Sequence, residues 1–212
     1  MKTLNAKDMK AIITAMSATM TENKDWLTEL DAAVGDGDLG LTMPRGFRKA
    51  SDVVQELEET DIGKILAKAG MTIAQTAPST MGTLVGSGLM KSGKALKDKH
   101  EVGLADLAEG MTQFVEGIMA RGKAQPGEKT IIDALQPAVQ ALQHAVEEQQ
   151  TLQAGLQAAY EAACQGVEAT KEMVAQHGRP AYYQEKSRGK QDPGATVGML
   201  MLKTFVEYVS SQ

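Results

Sequence analysis

The stretch "LDAAVGDGDLGLTM", residues 30–43, sets Asp31, Asp36 and Asp38 among Gly35, Gly37 and Gly40. The glycines satisfy G-x-G-x-x-G, the fingerprint of a dinucleotide-binding turn. That turn, however, follows a strand and keeps carboxylates away from the phosphates it cradles. Here the preceding "DWLTELDAAV" places Trp26, Leu27, Leu30 and Val34 at helical spacing, and Asp36 and Asp38 put negative charge where a pyrophosphate would lie. Metal binding suits the residues better. Alternate residues of an extended turn point the same way, so Asp36 and Asp38 converge while Asp31 approaches from a helix end. Three carboxylates so close repel one another unless a cation lies between them. Hard oxygen ligands select Mg²⁺ or Ca²⁺, and no terminal Glu follows to make a calcium-binding EF-hand loop. Magnesium takes few protein carboxylates and completes its shell with substrate phosphates, which points to a metal-bridged nucleotide. Spacing alone leaves the alternative open: a Gly/Asp turn that only stops a helix.

Other segments offer groups that could receive phosphate. Ser79 in "APSTMG" is placed as a helix N-cap, with Thr80 and Met81 opening a helix whose free N–H groups face outward. Thr130 with Asp133 in "GEKTIID" has the spacing of a capping box. Asp192-Pro193-Gly194 supplies a cap followed by proline at the first helical position. Each cap is also what an ordinary helix start needs. Arg179 lies in a long polar loop, either paired with phosphate or solvated. A second nucleotide motif, "GLMKSGKA" at 88–95, ends in Ala95 where a P-loop requires a hydroxyl, and no strand precedes it.

The elements that must hold these groups read as helices. Met9, Ile12, Ile13, Met16 and Met20 form one apolar face, as do Leu104, Leu107, Met111, Phe114, Val115 and Ile118. Ile131, Leu135, Val139, Leu142 and Val146 repeat the pattern, and Val197, Met201, Phe205 and Tyr208 close the chain. The alanine-rich run 154–176 is a further long helix of high intrinsic propensity. No alternating β-branched run predicts a sheet. The expectation is one all-α domain, residues 1–212, of about eight antiparallel helices. Its breaks fall at "GDGDLG", "QTAPSTMG", "ARGKAQPGEKT" and "HGRPAYYQEKSRGKQDPGA". The last is far longer than the roughly 2–8 residues of an ordinary helix connection, so it is a functional loop or disorder.

Composition narrows the partners. Aromatic residues make up only 4%, so the core must be aliphatic, Met and Ala. A net charge of −5 argues against a nucleic-acid surface. No run approaches the ~20 apolar residues of a membrane span, and "MKTLNAKDMK" has no secretory h-region. Cys164 is the only cysteine, which rules out an internal disulfide, fits a cytoplasmic location, and reads as a small buried hydrophobe.

Taken in order, "LDAAVGDGDLGLTMPRGF", "DIGKILAKAGMT", "ARGKAQPGEKT" and "GRPAYYQEKSRGKQDPGAT" resemble the L subunit, the nucleotide-binding subunit, of the dihydroxyacetone kinases. The resemblance runs across nearly the whole chain and implies an eight-helix antiparallel barrel holding ADP or ATP and two Mg²⁺ at one end. Its metal ligands fall on Asp31, Asp36 and Asp38. Its nucleotide contacts fall on Leu39, Gly40, Leu41 and Thr42, on Thr80 and Met81, on Gly122 and Ile131, and on Arg179, Asp192, Pro193 and Gly194. Arg179 is the implied catalytic cation. The implied partners are a K subunit that binds the ketose covalently and a phosphocarrier M subunit of the phosphoenolpyruvate-fed phosphotransferase system; a homodimer is a further option. The chain departs from the family pattern at Leu39, where a histidine is usual, and at Pro78-Ser79, where two glycines are usual. These departures suggest a paralogue serving another triose or tetrose ketose. A nucleotide-loaded regulatory module and a purely structural bundle are the competing functions.

Overall fold

The computed structural model describes residues 2–212. Its helices are α1 (Ala6–Glu22), α2 (Lys24–Ala32), α3 (Leu39–Gln55), α4 (Ile62–Thr76) and α5 (Thr80–Ala95) in the first half. The second half contributes α6 (Leu104–Gly122), α7 (Ile132–Glu147), α8 (Leu152–Ala169) and α9 (Pro193–Ser210). Two dipeptides, β1 (Leu4–Asn5) and β2 (Glu101–Val102), pair antiparallel and are the only strands among the described residues.

Eight of the helices close a ring. Each of α3 to α9 packs on the next, and α1 packs on both α3 and α9. Consecutive members of such a ring alternate in direction. This is the all-α, eight-helix antiparallel barrel that the sequence predicts. The short α2 lies outside the ring, against α3. Apolar stripes face inward: Met9, Ile12, Ile13, Met16 and Met20 of α1 are all buried, as are Leu39, Met43, Phe47, Ala50 and Val54 of α3. Helices α4 and α5 meet on glycines. A Cβ on Gly63 would lie only 2.3 Å from the Gly93 carbonyl oxygen, and one on Gly70 only 2.6 Å from that of Gly86.

Two expectations need correction. The helix predicted over 154–176 stops at Ala169, followed by a 3-10 turn at Thr170–Glu172. There the Thr170 hydroxyl turns back to the Val167 carbonyl, and the Thr170 carbonyl is taken by Lys129, so the helical ladder is interrupted. Cys164 on α8 is half-buried rather than buried, and contact with it helps to push the neighbouring Tyr160 hydroxyl up to about 12, burial being the larger cause.

Alternation decides where the site lies. The α1/α3, α4/α5, α6/α7 and α8/α9 connections all fall at one end of the barrel. The other connections, together with β1 and β2, fall at the opposite end. Loops that are distant in sequence are thereby gathered around one opening. No helix among the described residues is long and apolar enough to cross a membrane.

Candidate functional site

The four connections enclose a cleft of about 780 Å³, within the range of small-molecule and cofactor sites. One wall is the Gly/Asp loop between α2 and α3. Asp31 lies on the last turn of α2, and its Oδ2 accepts the Leu39 N–H at 3.2 Å, one of the free donors at the start of α3. Asp38 stands at the N-cap of α3 but makes no side-chain capping bond, which leaves its carboxylate free toward the cleft. One carboxylate oxygen each from Asp31, Asp36 and Asp38 lies within 4.8 Å of the others.

Two glycines make that convergence feasible. Gly37 has φ +73°, which turns the chain between Asp36 and Asp38. Gly35 leaves room for the Asp31 carboxylate, since a Cβ there would lie 2.5 Å from Asp31 Oδ1. Burial raises the Asp38 carboxyl above the usual range; repulsion from Asp36 and Asp31 adds to this, and Arg179 opposes it. The Arg179 guanidinium reaches across from the α8/α9 connection to Asp36, with Nη2 2.7 Å from Oδ2. A hard-oxygen donor set of this charge fits a divalent cation such as Mg²⁺.

Three helix starts form the facing wall. Ser79 caps α5, its hydroxyl accepting the Gly82 N–H at 3.1 Å. Asp133 accepts the Thr130 N–H at 2.6 Å, and the Thr130 hydroxyl accepts that of Ile132 at 3.2 Å, which fixes the start of α7. Asp192 caps α9 by accepting the Ala195 N–H at 2.7 Å. The three starts converge on Gly194, where a Cβ would lie 2.8 Å from Met81 Cε and 3.4 Å from the Ile131 nitrogen. Helix N-termini carry partial positive charge and unused N–H donors, the features that receive phosphate oxygens. Burial pushes the Asp192 carboxyl up to about 7, although the Ala195 amide and Lys129 both favour its charged form.

Most of the residues singled out from sequence line this cleft: Asp31, Asp36, Asp38 and Leu39, then Thr80, Met81, Gly122 and Ile131, and finally Arg179, Asp192, Pro193 and Gly194. Gly40, Leu41 and Thr42 do not. Gly40 packs toward α2, where a Cβ would lie 2.0 Å from the Lys24 carbonyl oxygen. Leu41 is 69% exposed, and the Thr42 hydroxyl is buried without a partner. They follow Leu39 within the first turn of α3 and so point to other sides of the helix; of the four, only Leu39 lines the cleft. Arg121, Lys129 and His177 also line the cleft although sequence reasoning passed over them; each belongs to, or adjoins, a break already recognised there. His177 pairs with Glu128 at 2.5 Å. The "GLMKSGKA" segment lies inside α5, with Gly88, Ser92 and Gly93 packed in the barrel, so it forms no phosphate loop.

The DAK2 domain family matches residues 33–207. An Escherichia coli relative, the ADP-binding subunit DhaL of a PEP-dependent dihydroxyacetone kinase, is 34% identical over 191 residues, covering 90% of this chain and 91% of the relative. An L-erythrulose kinase from Pectobacterium atrosepticum is 35% identical over 201 residues, but this chain spans only 34% of its length. Among solved structures, the dihydroxyacetone kinase of C. freundii in complex with AMP-PNP and Mg²⁺ superposes with a TM-score of 0.72 at 26% identity. That match covers 98% of this chain and 34% of the other.

Proposed function

Because the chain belongs to the DAK2 domain family, we propose that it is the nucleotide-binding, phosphoryl-transferring subunit of a short-ketose kinase. The observation that carries this reading is the pairing, across one cleft, of an aspartate triplet with the N-termini of three helices. The triplet attracts cations and the helix starts attract anions, which is the complementarity that a metal-bridged polyphosphate presents. In this reading residues 1–212 form one L-type domain binding ADP or ATP. Asp31, Asp36 and Asp38 hold two Mg²⁺, and Leu39, Thr80, Met81, Gly122, Ile131, Pro193 and Gly194 border the nucleotide. Bound there, magnesium supplies positive charge to phosphate oxygens as the terminal group transfers.

The chain's own residues perform the rest. Arg179 adds a guanidinium that offsets charge on the transferring group, and the amides at the starts of α5 and α9 stabilise charge that develops on phosphate oxygens. No side chain of the cleft need act as nucleophile, because the attacking hydroxyl belongs to the ketose. That ketose is carried by a separate substrate-binding partner, as expected for a relative of a kinase subunit named for ADP binding. In the two-thirds of the erythrulose kinase and C. freundii chains lying outside the match, there is ample length for such a substrate unit. Relatives named as PEP-dependent favour a phosphocarrier that recharges bound ADP over free ATP as donor. Dihydroxyacetone is the first substrate to try, and erythrulose the second.

The test is retention of nucleotide. Chain purified in Mg²⁺ is desalted, denatured and analysed by mass spectrometry, beside an Asp36→Asn variant of equal helicity. The proposal expects stoichiometric adenine nucleotide in the wild type and little in the variant. Wild-type chain that neither retains nor takes up adenine nucleotide in Mg²⁺ refutes it.

A further inference from the structure

Lys129 is a charged side chain with only 2% exposure, set in the α6/α7 connection at a left-handed φ of 60°. Its ammonium points inward and donates to the carbonyl oxygens of Thr170 at 2.5 Å, Lys190 at 2.5 Å and Met173 at 3.4 Å. An ammonium has three donors and no acceptor, so three carbonyls satisfy it fully and leave none for a ligand. Thr170 and Met173 begin the α8/α9 connection and Lys190 lies near its end. A single side chain therefore ties both ends of that long loop together.

The same node reaches two of the helix starts on the cleft. The Thr170 hydroxyl accepts the backbone N–H of Asp192, the α9 cap, at 3.0 Å. The loop that carries Lys129 is fastened to α7 by Asp133, which accepts the N–H groups of Gly127 at 2.5 Å and Thr130 at 2.6 Å. The start of α7 and the start of α9 are thus held in register through Lys129 and Thr170.

We infer that Lys129 is a positioning residue for the nucleotide: its ammonium fixes the N-termini of α7 and α9 and closes the α8/α9 loop beside them, so that together they grip phosphate. The inference rests on the nucleotide reading of the cleft. It has a consequence for pH, because three hydrogen bonds to carbonyls require the protonated amine. Burial pushes the Lys129 ammonium below the usual lysine range. Asp192 on α9, Asp133 on α7 and Glu172 on the 3-10 turn oppose that shift, and Arg188 on the loop adds to it. The grip loosens with alkalinity earlier than a surface lysine would titrate.

The experiment follows release of a fluorescent ADP analogue from the Mg²⁺-loaded chain by stopped flow, from neutral pH to about pH 10. Wild type is expected to release slowly near neutrality and to accelerate toward the alkaline end. Lys129→Met is expected to release about 100-fold faster, the penalty of small misplacements at a site, with no alkaline acceleration. If that variant fails to fold, Lys129→Cys in a Cys164→Ala background is alkylated in denaturant with bromoethylamine and refolded. The restored amine, less basic than lysine, should recover slow release and shift the acceleration to lower pH. A simple packing role would leave release insensitive to the basicity of that amine. Folded Lys129→Met with wild-type release, or restored protein with an unshifted pH profile, overturns the inference. Wild-type chain that binds no ADP analogue in Mg²⁺ overturns the nucleotide reading itself, and the inference with it.

Discussion

Replacing Gly35 with alanine disturbs the carboxylate site without removing any charge. A Cβ there would lie 2.5 Å from Asp31 Oδ1 and 2.9 Å from the Asp31 carbonyl oxygen. Gly35 is not among the residues with positive φ, so alanine is acceptable to its backbone and the conflict is with Asp31. Restoring the nearest ordinary contact, 3.4 Å, requires the carboxylate oxygen to move by about 0.9 Å. The other oxygen of the same carboxylate, Oδ2, holds the 3.2 Å bond from the Leu39 amide that orients Asp31, so the displacement strains that bond as well. Magnesium demands near-ideal octahedral geometry, and metal sites tolerate ligand errors of only about 0.2 Å. We therefore expect Gly35→Ala to weaken Mg²⁺ binding about 10–100-fold, the range for disturbed supporting contacts, equivalent to about 1.4–2.8 kcal/mol. Helix content should change little, while the 2.9 Å approach to the Asp31 backbone oxygen makes the end of α2 shift and lowers the melting temperature without metal modestly. The assay is calorimetric titration of Mg²⁺ into nucleotide-saturated protein, with circular dichroism melts as the control for folding. Wild-type Mg²⁺ affinity in a folded Gly35→Ala protein would refute the reasoning that Asp31 is a ligand held in place by the space at Gly35.

Three further outcomes are expected. Asp192 has its carboxyl pushed up to about 7 by burial, from an ordinary value of 3.8, so the folded chain holds a proton that the unfolded chain has lost between these limits. Stability from this group is complete below about pH 4 and is lost as pH rises through about 7. Asp192→Asn, which still caps a helix, should melt above the wild type at about pH 8 and level with it near about pH 4; equal melting temperatures at both would contradict the burial argument. Ser79→Ala removes the acceptor for the Gly82 amide and should cost about 1 kcal/mol in urea denaturation at unchanged slope. Phe47→Ala empties a position that is 1% exposed within the core and should cost about 3–5 kcal/mol.

The barrel was legible because its helices bury one face each: the stripes on α1, α6, α7 and α9 recur at helical spacing, and the breaks between them fall where loops occur. Helix α3 was less visible because Gly40, Pro44 and Gly46 interrupt its propensity, although Leu39, Met43 and Phe47 still fall on one face. The aspartate triplet was legible since its three members lie within eight residues of chain, and local spacing constrains where they point. Residues that act through the return of distant segments were not. Lys129 reads in sequence as one more charge in a polar loop; only the arrival of Thr170, Met173 and Lys190 makes it a buried strut. Gly35 likewise reads as a turn residue until the Asp31 carboxylate is seen to occupy its side-chain space. Leu41, which the resemblance assigns to the nucleotide, is 69% exposed, because its place on α3 turns it away from the cleft that Leu39 lines.

Reconstitution of turnover tests the central claim most directly. The chain is combined with a dihydroxyacetone-binding K subunit and supplied either with phosphorylated phosphocarrier or with ATP, and ketose phosphate is measured by mass spectrometry. The account predicts phosphorylated dihydroxyacetone or erythrulose, formed with the wild-type chain and lost with Asp36→Asn. Chain that holds Mg²⁺ and ADP yet forms neither product with either donor would contradict it and leave a nucleotide-loaded regulator in its place.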